Sequence, residues 1–175
     1  MRTLVVFVLS VLLSACTLPE GARNELRSKD IRLETDNPAF KAAQYLNFNE
    51  RTHREELKEL TGVDPVRTEW CAAFVNSVLE ESGIESNNNH KYPLTARAFL
   101  DWGKKISKEN IQPGDIVIFP RGNQGWQGHV GFYLRTQEIN GVKYYWILGG
   151  NQNNKVSVAL YRANRSLGIR RQTDI

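Results

Sequence analysis

One cysteine and one histidine stand in local sequences that are typical of a thiol nucleophile and its base. Cys71 lies in the segment 70–75, Trp-Cys-Ala-Ala-Phe-Val, which predicts the start of a helix. His129 lies in the segment 128–133, Gly-His-Val-Gly-Phe-Tyr, which predicts the start of a strand. An imidazole that takes the proton of a thiol activates the sulfur for attack on a carbonyl carbon. If the two side chains meet, the chain has the minimum set of groups for covalent cysteine catalysis.

The position of Cys71 also predicts a reactive thiol. Unsatisfied amides and the dipole at a helix start favour the thiolate, so we expect them to lower the thiol pKa. Glu69 opposes this through its negative charge, and we therefore expect His129 to contribute to the lowering. The alternative is a buried structural cysteine, because free cysteine is among the most buried residue types.

Asn151 is predicted to lie beside His129. Asn140 and Gly141 form the strongest hairpin signal of the chain and join a strand over 129–135 to a return strand over 143–148. The far ends of the two strands then meet, so that Asn151 Oδ1 accepts a hydrogen bond from the imidazole and fixes its tautomer. A histidine at the core edge and an asparagine in a turn are the ordinary structural alternatives for these two residues.

The chain divides into a helical first half and a second half of strands. Further strands are predicted over 115–119 and 156–161, with a last edge over 167–171. Helices that precede antiparallel strands favour an α+β domain with a helix layer on one face of the sheet. The predicted helices begin at caps on Asn37, Thr52, Thr68 and Thr95, the second ends at Gly62, and the third covers 69–82.

The N-terminus is typical of a targeting segment. Arg2 precedes an apolar run over 4–13, which is too short to span a bilayer, and residues 13–16, Leu-Ser-Ala-Cys, resemble the bacterial lipobox. We expect a signal peptide over 1–15, a lipidated Cys16, a tether over 16–36 and the catalytic domain over 37–175. The alternative is an ordinary secretory signal with a chance cysteine. A lipidated Cys16 leaves Cys71 as a free thiol.

Composition limits the class of protein. Loss of the signal peptide with Arg2 would lower the formal net charge from +4 to +3 and leave 160 of 175 residues, enough for one domain. The basic residues are dispersed and predict no nucleic-acid binding, whereas a mild positive charge suits an anionic wall polymer or lipid surface. No His/Cys cluster has metal-ligand spacing, so we expect no metal and no cofactor. We expect a monomer.

Four segments together resemble the CHAP or NlpC-type peptidoglycan hydrolases. They are 70–75, 113–119 (Pro-Gly-Asp-Ile-Val-Ile-Phe), 128–133 and 149–152 (Gly-Gly-Asn-Gln), and they run in the family's order. The resemblance implies a papain-like fold with Cys71 as nucleophile, His129 as base and Asn151 as polar orienter. Many members carry an acidic residue two positions before this asparagine, where this chain has Gly149. The implied chemistry is hydrolysis of amide bonds in the peptide stems or cross-bridges of the bacterial cell wall.

Residues near these segments are candidates for substrate binding. We expect Trp70, Trp126, Gln127 and Gln152 to contact the substrate, with Gln152 or Gln124 as a second donor to the oxyanion. Trp126 either stacks on a sugar or an alkyl stem or packs its own loop.

Other functions fit the same residues. The thiol would also serve an acyltransferase that acts on membrane lipids, and a degenerate site would leave a non-catalytic wall-binding lipoprotein. A secreted antibacterial toxin is disfavoured, because a lipid anchor keeps the protein with its producer. We expect a location in the cell envelope, facing the periplasm. The outer membrane is favoured over the inner in a Gram-negative cell, because Thr17 replaces the aspartate of inner-membrane retention.

Overall fold

The computed structural model describes residues 17–173, in which helices precede a six-stranded antiparallel sheet. The strand order in the sheet is β1-β6-β2-β3-β4-β5. The predicted α+β class and its papain-like order of helices before strands are confirmed. The elements are α1 (Glu20–Ser28), α2 (Pro38–Ala43), α3 (Arg54–Thr61), α4 (Cys71–Glu81), β1 (Lys104–Lys105), β2 (Ile116–Pro120), β3 (Gly128–Ile139), β4 (Val142–Gly149), β5 (Ser157–Arg162) and β6 (Gly168–Arg171), with 3₁₀ turns at Ala96–Asp101, Lys108–Asn110 and Ala163–Arg165.

Some of the predicted helix boundaries are confirmed and others are wrong. Asn37 caps α2, because its Oδ1 accepts from the amide of Ala39 at 2.9 Å, and Gly62 ends α3 with a left-handed φ of 70°. The predicted caps at Thr52 and Thr68 are wrong. Among the described residues neither α3 nor α4 has a side-chain cap, and α4 begins at Cys71 rather than at residue 69. Tertiary packing therefore fixes the start of α4.

The predicted hairpin is confirmed and sets the register of the sheet. Asn140 and Gly141 have φ values of 50° and 74°, both left-handed, as a two-residue turn between right-twisted strands requires. A bulge between Tyr133 and Arg135 shifts the pairing by one residue. The end of β4 consequently lies beside the start of β3, at the end of the strands where His129 lies.

The sheet is covered on both faces. On one face, α4 packs Phe74, Val75 and Leu79 against residues of β3 and β4, including Phe132 and Leu148. The opposite face carries a second, smaller apolar cluster, composed of Val117, Phe119, Tyr133, Tyr145, Ile147, Ala163 and Ile169. Because α4 is held along its buried face, its first residue has a fixed position relative to the strands.

The tether predicted over 16–36 is wrong for the described part of that segment. Residues 20–28 form α1, and Leu18, Ala22, Leu26 and Ile31 are buried in the main core. Lys29 Nζ lies 5.5 Å from the centre of the Trp146 ring. The signal missed in the sequence is the spacing of four between Ala22 and Leu26, which places both on one face of α1, with Leu18 just before the helix. The predicted signal peptide and Cys16 lie outside the described residues.

If α1 is part of the domain, a cavity in its buried face must destabilise the whole fold. We expect Leu26→Ala to lower the free energy of unfolding by about 3 kcal/mol, the usual cost of such a core truncation. Arg27→Ala, on the exposed face of the same helix, is the control and should change it by less than about 0.5 kcal/mol. Urea denaturation of both variants measures this, and equal stabilities would restore the tether interpretation.

Candidate active site

Trp70, directly before α4, packs against the chain that follows β4 and so holds the start of the helix there. The indole is fully buried, and its Nε1 donates to Glu50 Oε2 at 3.5 Å. A Cβ added to Gly150 would lie 2.5 Å from Trp70 Cζ3, so only glycine lets the chain after β4 pack on this ring. The prediction that Trp70 contacts substrate is therefore wrong, because the residue is a buried support that positions Cys71.

The thiol of Cys71 lies beside the strand that carries the histidine. The backbone amides of Val130 in β3 and Ala72 in α4 both act to lower the pKa of this thiol, and α4 packs on β3. Val130 directly follows His129. The Cys71 sulfur therefore lies in the first turn of α4 and near the start of β3. The structure thus brings the helix start and the strand start to one place.

Gln152 holds the ring of His129. His129 Nε2 lies 3.0 Å from Gln152 Oε1, and both side chains are buried. Gln152 Nε2 donates to the carbonyls of Ile147 and Ser157, which fixes Oε1 as the atom that faces the ring. Since Oε1 is an acceptor, His129 Nε2 must carry the proton. The other ring nitrogen, Nδ1, is then an unprotonated base, and it has no hydrogen-bond partner among residues 17–173.

The predicted hydrogen bond between Asn151 and His129 is wrong. Asn151 adopts a left-handed φ of 54°, so the chain turns away from the strand and the following side chain, Gln152, returns to the ring. The side chain of Asn151 instead donates from Nδ2 to Glu69 Oε2 at 2.6 Å. The prediction of Gln152 as a substrate or oxyanion contact is likewise wrong, because its amide is buried and fully engaged with His129 and the two carbonyls.

Tyr161 fixes the plane of the imidazole. Its ring stacks on His129 with centroids 5.3 Å apart and planes 16° from parallel, and on Phe119 at 4.6 Å. The three rings come from β2, β3 and β5. The sequence predicted Tyr161 only as a strand residue, since no local signal links it to a histidine 32 positions away.

Burial controls the protonation of both reactive groups. Desolvation raises the pKa of the Cys71 thiol and outweighs the nearby Arg121 charge and the amides of Val130 and Ala72. The prediction of a lowered thiol pKa is therefore wrong for this closed site. Desolvation, aided by the positive charge of Arg121 and opposed by the Gln152 hydrogen bond, lowers the pKa of His129 to about 3. At neutral pH the site holds a neutral thiol beside a neutral imidazole.

Three polar side chains near this pair contact one another, and we call them the rim bridge: Glu69, Arg121 and Asn151. Arg121 Nη1 lies 3.6 Å from Glu69 Oε2, and its Nη2 donates to the carbonyl oxygen of Asn151 at 3.1 Å. Arg121 follows β2 and gave no signal in the sequence. Cys71 itself is 4% exposed, so a substrate must displace part of its covering to reach the sulfur.

The loop before β3 carries the other predicted contact residues. Trp126 is 67% exposed, which leaves the predicted contact with a substrate open. Gln127 is used within the loop: its Oε1 accepts from the amides of Asn123 and Gln124, and its carbonyl accepts from Arg97 Nε. The Gln127 side chain therefore stabilises the loop that presents Trp126.

Over residues 17–173 the structure contains no group of three or more His, Cys, Asp or Glu side chains that would hold a metal ion. In the same part of the chain, every helix is too short or too polar to cross a bilayer.

The pKa of His129 predicts how stability depends on pH. Between pH 6.5 and about 3 the unfolded chain binds a proton that the folded chain excludes, so stability is lost as the pH falls through this range. We expect the contribution of His129 to fall by about 2 kcal/mol from pH 7 to pH 5. Urea denaturation of the wild type and His129→Gln at both pH values isolates it. The same pH dependence in both proteins would contradict the buried neutral ring.

Comparisons with known proteins show the family to which the chain belongs. The murein DD-endopeptidase/murein LD-carboxypeptidase MepS of Escherichia coli (strain K12) is 25% identical over 158 residues, which cover 79% of this chain and 77% of that protein. The probable endopeptidase p60 of Listeria seeligeri is 34% identical over 79 residues, which cover 42% of this chain but 14% of that protein. The CHAP domain profile matches residues 63–151, just over half of the chain, including both Cys71 and His129. The chain belongs to the CHAP family.

Proposed function

We propose that this protein is a lipid-anchored cysteine hydrolase that cleaves amide bonds in the peptide part of peptidoglycan. The observation that carries the proposal is the unpartnered Nδ1 of His129, which the hydrogen bond to Gln152 leaves as a base, and its support is the position of Cys71 at the start of α4, which packs on β3. Cys71 is the nucleophile, His129 the base, and Gln152 the residue that orients the ring. The names of two relatives, an endopeptidase and a murein endopeptidase/carboxypeptidase, support peptidoglycan as the substrate.

The mechanism follows from the tautomer of His129. Nδ1 takes the thiol proton as the Cys71 sulfur attacks the scissile carbonyl carbon, and the Cys71 amide at the start of α4 donates to the developing oxyanion. The protonated Nδ1 then gives its proton to the leaving amine, which leaves a thioester on Cys71. Nδ1 next takes a proton from water, which attacks the thioester carbonyl. The C–S bond then breaks, the acid is released, and Nδ1 returns its proton to the Cys71 sulfur. Gln152 Oε1 stabilises the charged ring in both steps.

The anchor and the location belong to the same proposal. The lipobox-like segment 13–16 supports a lipidated Cys16, and Thr17 supports an outer-membrane address in a Gram-negative cell. Two or more acyl chains give stable attachment, because each buried methylene adds about 0.8 kcal/mol. An envelope location places the enzyme at its polymer substrate.

Loss of the nucleophile must abolish covalent catalysis. We expect the wild type to release new amine termini from purified sacculi and Cys71→Ala to reduce the rate to background, because no thioester can form. Amine labelling and mass analysis of the released fragments measure the rate and identify the bond. Equal release by both proteins would exclude Cys71 as the nucleophile, and no release by either would exclude the proposed substrate.

The two candidates for the orienting residue can be separated by substitution. We expect Gln152→Leu to lower kcat about a hundredfold, because the ring loses the partner that fixes its tautomer and stabilises its charge. Asn151→Gly keeps the left-handed backbone and the Gln152 contact, so its kcat should stay within about threefold of the wild type. Steady-state kinetics on one defined muropeptide compares them. The opposite order would restore Asn151 as the third residue.

A further inference from the structure

Arg121 is a partly exposed cation near the reactive residues. It directly follows β2, its side chain is about one-third exposed, and it contacts residues close to Cys71 and Gln152 in sequence. Its positive charge opposes the rise that burial causes in the pKa of Cys71 and Tyr161, and it adds to the fall that burial causes in the pKa of His129. The reaction itself needs no cation there, because the thiol, the ring and Gln152 complete the proton transfers.

The present partner of Arg121 is easy to replace. The contact with Glu69 is a single one of 3.6 Å, and the Glu69 side chain is 80% exposed. Exposed single-contact ion pairs add little stability and exchange readily with other anions. The second contact of Arg121, to the carbonyl oxygen of Asn151, does not involve Glu69. It therefore holds the guanidinium in place when Glu69 is displaced.

The rim bridge also joins the segments that carry the reactive residues. Glu69 lies two residues before Cys71, and Asn151 directly precedes Gln152. Glu69 Oε2 accepts a hydrogen bond from Asn151 and forms an ion pair with Arg121, so this one carboxylate holds the bridge together. A carboxylate that replaces Glu69 on Arg121 opens the bridge and at the same time lies next to the sulfur.

We propose that Arg121 is a specificity residue that binds a free carboxylate of the substrate, and that this carboxylate displaces Glu69. The proposal rests on the proposed function in one respect, that the substrate is a peptidoglycan stem, whose peptides carry free carboxylates next to amide bonds. Arginine suits the role because its planar fork binds a carboxylate with two parallel hydrogen bonds.

Cleavage assays test which carboxylate is bound. The substrates are one stem peptide and its derivatives amidated at each carboxylate in turn. For the wild type, we expect one amidation to lower kcat/KM about tenfold, because a charge-assisted pair is lost. Arg121→Gln should lower kcat/KM for the parent peptide and erase this difference. Equal rates for all derivatives, or a difference that persists in Arg121→Gln, would overturn the proposal while leaving the hydrolase intact.

A second measurement needs no substrate and separates the failure of the two proposals. Iodoacetate and iodoacetamide both alkylate a thiolate with loss of iodide, but only iodoacetate carries a carboxylate. Peptide mass spectrometry measures the alkylation rate of Cys71 in the full chain with each reagent. We expect the iodoacetate rate divided by the iodoacetamide rate to fall about tenfold in Arg121→Gln. Glu69→Gln removes the competing acid and should raise the ratio. A purely structural effect slows both reagents equally, so an unchanged ratio in both variants would overturn the proposal.

Discussion

The buried hydrogen bond between His129 Nε2 and Gln152 Oε1 determines what the rest of the site can do. Gln152 is itself fixed by two backbone carbonyls, so it presents its oxygen rather than its nitrogen to the ring. The proton then belongs on Nε2, and Nδ1 is left as the base. Every catalytic step proposed for Cys71 depends on this assignment, because the other tautomer would present an N–H to the thiol.

Burial keeps the thiol of Cys71 and the imidazole of His129 uncharged. The thiol and the imidazole are both neutral at rest, because desolvation raises the pKa of Cys71 and lowers that of His129. A thiolate–imidazolium pair becomes favourable only when charge can be stabilised at the carbonyl carbon under attack. Cys71 is almost fully buried, so solvent has little access to the thiol.

Docking of α1 changes how the anchor relates to the catalytic domain. With Cys16 lipidated as proposed, residues 17–19 alone separate it from the first residue of α1. Three extended residues span roughly 11 Å, so the domain stays at the membrane surface instead of moving on a long tether. The buried face of α1 is part of the main core, and attachment is therefore a property of the folded domain.

Local patterns in the sequence were sufficient to predict the α+β class, the hairpin at Asn140 and Gly141, and the positions of Cys71 and His129 at element starts. These follow from short-range rules: side-chain periodicity, left-handed turns and local motifs. That Gln152 rather than Asn151 holds the ring depends on the folded chain, because one left-handed residue redirects the backbone there. The tertiary structure also decided the direction of the thiol pKa, since desolvation sums over atoms from segments far apart in sequence. The burial of α1 depended in the same way on partners that no local pattern reveals.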